Sequence, residues 1–128
     1  MNNLVTSLEL SKRLYEAGVT KKDQSPFKYY QNCVDGHIYI AQHADQAGDD
    51  MLAPALTLQE LLEVMPSTLK KDKGATLFLE LSTCLVDGWV ATYSNGEYYD
   101  CDSEACFPGG PLKALEALAN YLLDNDLM

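Results

Sequence analysis

A chain of 128 residues with 47% apolar and 22% charged side chains lies away from the composition that leaves chains disordered, and it is long enough for one core without disulfide or metal staples. Its formal charge of −10 is uneven: residues 1–30 hold five basic and three acidic side chains, residues 31–128 four basic and sixteen acidic. That body repels phosphate backbones, so direct nucleic-acid binding would rest on a thin patch of Lys12, Arg13, Lys21, Lys22 and Lys28.

Thr6 followed by Glu9 has the spacing of a capping box and predicts a helix to about Ala17, with Leu10, Leu14 and Ala17 on one face and Gly18 as a left-handed terminator. After a loop over residues 19–26, Phe27 to Cys33 and His37 to Gln42 flank Asp35-Gly36, which suits a tight hairpin. Residues 43–56 mix Asp45, Gly48, Asp49, Asp50 and Pro54 without a period, and read as a long exposed connection.

Thr57 and Glu60 form a second capping box, and Leu58, Leu61, Leu62 and Met65 recur at helical spacing before Pro66 stops the helix. Lys70, Lys71 and Lys73 mark a polar loop ending at Gly74. Beyond it Leu77, Leu79 and Leu81 alternate with Phe78 and Glu80 as in a strand, with Phe78 indicating partial cover on the second face. Gly88 to Ser94 and Glu97 to Cys101 flank Asn95-Gly96, a type I′ turn sequence. Pro111 suits a first helical turn, and Leu112, Leu115, Leu118, Ala119, Leu122 and Leu123 form an apolar stripe.

The order α-β-β-α-β-β-β-α predicts a single α+β domain over 1–128, with an antiparallel sheet of about five strands and helices packed on one face. No run approaches the ~20 apolar residues needed to cross a bilayer. The start MNNLVTSLELSKR lacks the basic start and apolar core of a secretory signal. A cytoplasmic protein with Cys33, Cys84, Cys101 and Cys106 reduced is the expectation.

A zinc site from Cys33, His37 and His43 with the other cysteines has the right ligand types but no Cys-x2-Cys knuckle, and no metal or cofactor is expected. Asp100, Asp102 and Glu104 alternate as in a calcium loop, yet Ala105 stands where glycine is needed and Pro111 where the bidentate glutamate belongs. Cys33 with His37, or Cys106 with either histidine, has the types for nucleophilic catalysis without a local motif to activate a thiol. No catalytic residue is assigned. The strand aromatics and clustered carboxylates suggest instead a partner-binding surface of Asp100, Asp102, Glu104, Tyr93, Tyr98, Tyr99, Asp45, Asp49 and Asp50.

The segments Leu8-Glu9-Leu10-Ser11-Lys12-Arg13-Leu14-Tyr15-Glu16-Ala17-Gly18, Ala53-Pro54-Ala55-Leu56-Thr57-Leu58-Gln59-Glu60-Leu61-Leu62, Asp87-Gly88-Trp89-Val90-Ala91-Thr92-Tyr93 and Ala114-Leu115-Glu116-Ala117-Leu118 together resemble a group of small proteins of phages and prophages with no known activity. Here Ala55-Leu56 is inserted between that group's Pro and Thr. The resemblance implies origin rather than activity and carries over no catalytic residue. A non-enzymatic accessory protein is therefore expected, binding a host or phage protein through its acidic surface, in one form inhibiting a nucleic-acid-binding or defence protein. The alternative is a small enzyme or ligand-binding domain using Cys, His and Tyr groups near residues 36–54. An edge strand after Cys101, or the last helix's stripe, would serve a homodimer.

Overall fold

A computed structural model of the chain describes residues 4–70, 76–83, 88–94 and 110–128. Its described part is α+β, with three helices and six strands, and falls into two compact units, Met1–Val64 and Met65–Met128. The strands pair as two antiparallel three-stranded sheets, β2-β1-β3 and β4-β5-β6, where the sequence suggests one sheet of about five.

In the first unit, α1 (Leu8–Glu16) is capped by Ser7, whose Oγ accepts from the Leu10 N–H at 3.3 Å. The expected cap, Thr6, is one residue early because Leu56 recruits it into the core. Thr6 N–H donates to Leu56 O at 2.7 Å, Leu56 N–H donates to Thr6 Oγ1 at 3.0 Å, and Thr6 Oγ1 and Ser11 Oγ share a 2.6 Å hydrogen bond. The helix ends as expected. Gly18 has φ +78°, its N–H donates to Tyr15 O, and Val19 N–H donates to Leu14 O, the double bond of a Schellman motif.

Just beyond, Thr20 is buried, and its Oγ1 has no hydrogen-bond partner among the described residues. An orphaned buried hydroxyl is destabilising, and valine has nearly the same shape without it. Thr20→Val is therefore expected to stabilise the protein by about 1 kcal/mol, read as a raised midpoint in urea unfolding with unchanged slope; a lowered midpoint would show the hydroxyl to be satisfied.

Strands β1 (Lys28–Gln31) and β2 (Ile38–Ala41) form the expected hairpin, in register Gln31↔Ile38 through Lys28↔Ala41. Its turn is longer than the expected tight Asp35-Gly36 pair. Gly36 N–H donates to Asn32 O at 3.0 Å and Asn32 N–H to His37 O at 2.8 Å, which leaves a four-residue loop, Cys33 to Gly36. Only Gly36 in it takes a left-handed conformation, at φ +76°. Asn32 Oδ1 fixes the loop's start by accepting from Val34 N–H (2.8 Å) and Asp35 N–H (3.1 Å).

The segment expected to be an exposed connection contains β3 (Asp50–Pro54), paired antiparallel with β1. Its register shifts between Tyr29↔Ala53 and Tyr30↔Met51, so Leu52 is an extra residue that breaks the period of two. Pro54, which cannot donate to a ladder, sits on this edge strand. Val5, Tyr29 and Ala55 form a small core with Leu8, Phe27, Ile40 and Leu52 around it, and α1 lies against β3. Tyr29 OH donates to Thr6 O at 2.7 Å. Ala55 and Leu56, which follow β3, are wholly buried. Helix α2 (Leu58–Val64) opens on the expected capping box, with Thr57 N–H donating to Glu60 Oε1 at 2.9 Å and Glu60 N–H to Thr57 Oγ1 at 3.3 Å.

In the second unit, β4 (Thr68–Lys70) begins the segment read as a polar loop, pairing its buried Leu69 with Leu77 of β5 (Thr76–Thr83). Three residues are too few to show a period. Leu77, Leu79 and Leu81 turn inward as expected, whereas Phe78, read as a sign of partial cover on the second face, is 55% exposed. Strand β6 (Trp89–Ser94) pairs with β5, and α3 (Pro111–Asp124) lies against both with Leu112, Leu115, Leu118, Ala119 and Leu122 buried. Pro111 occupies the first turn as expected. Asn95-Gly96 and the strand expected over Glu97 to Cys101 lie outside the described residues.

Candidate functional site

Sequence positions 29–69 hold six acidic side chains and no lysine or arginine. The first sheet gathers four of these acids at one end. Asp35 sits in the β1–β2 loop, Asp50 pairs with Gln31 at the loop end of β1, and Asp45 and Asp49 belong to the connection leading into β3. Lys28 occupies the opposite end of β1, its Nζ donating to Ser25 O at 3.3 Å.

Asp49 is the hub of this end. Its Oδ1 accepts from Cys33 N–H at 3.0 Å and its Oδ2 from Tyr39 OH, while Tyr39 Oη accepts from Asp45 N–H at 2.8 Å. Tyr39 also stacks on Tyr30, with ring centroids 5.6 Å apart. One carboxylate thus ties the hairpin loop, the middle of β2 and the 42–49 connection into one unit. Gly48 allows the close approach: a Cβ there would lie 3.2 Å from Cys33 Sγ.

These bonds set the electrostatics. The hydrogen bond from Tyr39 holds the Asp49 carboxyl below its ordinary value of 3.8. Partial burial and the same bond push the Tyr39 phenol up. Cys33 donates its thiol to Gln46 Oε1 at 3.4 Å, and the neighbouring Asp49 carboxylate, by hydrogen bonding and by charge, raises the thiol above 9.0. At neutral pH it is a thiol, the opposite of what a cysteine nucleophile needs. His37 is engaged elsewhere: its Nδ1 lies 2.5 Å from Asp35 Oδ1, and its N–H donates to the same oxygen at 2.9 Å, which lowers the Asp35 carboxyl. The pair considered for nucleophilic catalysis is therefore committed to two different carboxylates.

A depressed carboxyl contributes order fully above the ordinary value of 3.8, and loses it only as pH falls through its own lower value. Amide exchange at Cys33 and Asp45 is therefore expected to stay slow, after correction for intrinsic rates, from neutral pH down to 3.8 and to quicken below it. Quickening already in the range above 3.8 would mean that Asp49 is not the lock.

Of the nine residues proposed from sequence, Asp45 and Asp50 are exposed here and Asp49 is half-buried as scaffold. Tyr93 is a correction: it is wholly buried and its OH donates to Pro66 O at 2.6 Å, so it serves the core of the second unit and not a surface. Tyr98, Tyr99, Asp100, Asp102 and Glu104 lie outside the described residues, as do Cys84, Cys101 and Cys106. Among the described residues, no group of three or more His, Cys, Asp and Glu is placed to hold a metal ion. The sequence marks Asp35 only as a turn residue and not as part of the surface; the Asn32-x-x-Asp35 turn pattern is the available signal for its place there. In the basic patch, Lys12 and Arg13 share a shallow depression along α1 with Glu9 and Glu16, which offset their field.

No family model, curated protein or solved structure matches the chain. No helix among the described residues is long and apolar enough to cross a membrane.

Proposed function

We propose that this protein is a non-enzymatic binding protein, of the accessory kind that phages carry, which engages a basic surface on a protein partner through the acidic end of its first sheet. The observation that carries the reading is the exposure of Asp35, Asp45 and Asp50 on a loop system fastened by Asp49, in a stretch without lysine or arginine. Fixed carboxylates present a negative field without the ordering cost of a mobile loop, and such a field selects cationic partners and speeds their encounter. A nucleic-acid-binding enzyme offers a matching surface, because its phosphate groove is lined with Lys and Arg, and occupying that groove would inhibit it. The committed state of Cys33 and His37 weighs against the enzyme alternative.

Affinity capture from host lysate at low salt tests this. The wild-type protein is expected to retain a basic protein that is released at ~1 M salt, where the screening length falls to about 3 Å. The triple variant Asp35→Asn, Asp45→Asn, Asp50→Asn is expected to retain at most a tenth as much. Equal retention by wild type and variant would sink the proposal.

A further inference from the structure

The two edges of the first sheet are not alike. On β3 the edge is broken by the Leu52 bulge and carries Pro54, both common guards against strand addition. On β2, Ile38-Tyr39-Ile40-Ala41, there is no proline, charge or bulge. Asn32 N–H bonds to His37 O; because hydrogen-bonded and non-bonded pairs alternate along an antiparallel ladder, Tyr39 and Ala41 point their backbone groups at β1. Ala55 N–H bonding to Phe27 O gives the same parity on the β3 side. The N–H and C=O groups of Ile38 and Ile40 therefore point away from β1, along an edge that has no strand beside it among the described residues.

The surroundings of that edge are unusual. Val34, in the loop leading to β2, is 81% exposed and adjoins Asp35 in sequence, Ile38 is 45% exposed, and the Asp45 backbone is fastened to the hydroxyl of Tyr39 in the middle of the same strand. A second copy of this chain paired in parallel would set the same carboxylates against each other, and paired antiparallel would offer each acidic end only Lys28, whose Nζ already donates to Ser25 O, so self-pairing leaves most of this charge uncompensated. The charge favours an extended segment with cationic side chains between apolar ones.

We propose that the open edge of β2 is a strand-addition site for an extended basic peptide segment of a protein partner, which pairs its backbone with Ile38 and Ile40, covers Val34 and Ile38 with apolar side chains, and sets Lys or Arg against Asp35 and Asp45. This rests on the acidic-surface reading and adds the mode of binding. An unguarded edge of four residues suffices, because backbone hydrogen bonds supply the docking and the flanking charges the selectivity.

The probes are three synthetic peptides: alternating lysine and valine, alternating glutamate and valine, and the lysine–valine peptide with a proline inserted after every valine, which keeps every lysine but cannot pair as a strand. With the lysine–valine peptide, exchange of the Ile38 and Ile40 amides is expected to slow at least tenfold, with no such effect from the glutamate peptide. Ile38→Pro removes one outward N–H and no ladder bond, and is expected to abolish that protection; should the variant not fold, the wild-type exchange data alone decide. Equal binding of the proline-interrupted peptide, without protection at Ile38 and Ile40, would overturn strand addition and leave the acidic surface standing. Failure of both basic peptides to bind at low salt would remove both. Protection that appears without peptide and grows with protein concentration would assign the edge to a second copy and overturn the proposal.

Discussion

Leu118→Ala is expected to cost about 3–4 kcal/mol, the usual range for emptying a leucine-sized volume that cannot collapse. Leu118 is wholly buried on α3, which lies against β5 and β6, and its neighbours Leu115, Ala119 and Leu122 are equally buried. The helix has no side-chain cap and no basic residue in its last turn, so little else holds it in place. Against a typical total stability of about 5–15 kcal/mol the loss is large. Urea unfolding should show a midpoint lowered well beyond that of Leu123→Ala, at a half-buried position on the same helix. Equal shifts would mean that α3 is not anchored through the face described.

Thr6→Val is expected to cost about 2–3 kcal/mol, the opposite sign to the same substitution at Thr20. Both threonines are buried. The difference lies in their partners. The Thr6 hydroxyl accepts from Leu56 N–H and shares a hydrogen bond with Ser11 Oγ, so a methyl group there would strand a buried backbone donor across a 50-residue loop. Thr6→Ser keeps the oxygen and should recover more than half of the loss. Thermal or urea unfolding of the three variants checks the ordering, and destabilisation by both valine substitutions would contradict the hydrogen-bond assignments.

Local signals were legible and remote ones were not. The Thr57–Glu60 capping box, Gly18 and Pro111 act within a turn of their own positions, and each stands where the sequence puts it. Thr6 has the same signature as Thr57, yet Leu56 claims it and Ser7 becomes the cap; nothing near Thr6 announces that partner. Strand β3 was hidden by its bulge and by Pro54, the features that make it a protected edge. At the candidate site, composition pointed to Asp45, Asp49 and Asp50 without separating their roles. Only the β2-β1-β3 register reveals Asp49 as the fastener and Asp45 and Asp50 as the exposed charges beside Asp35. For Tyr93, a strand position alone left either face open, and the pairing Leu79↔Tyr93 puts it inside.

The most direct test is the ratio of partner affinities for wild-type protein and the Asp35→Asn, Asp45→Asn, Asp50→Asn variant, measured with the captured partner at low and at high salt. Rim charges act through encounter and screened attraction, so the expected ratio is about tenfold or more at low salt and close to one at ~1 M. Equal affinities at low salt would contradict the assignment of this acidic end as the binding surface.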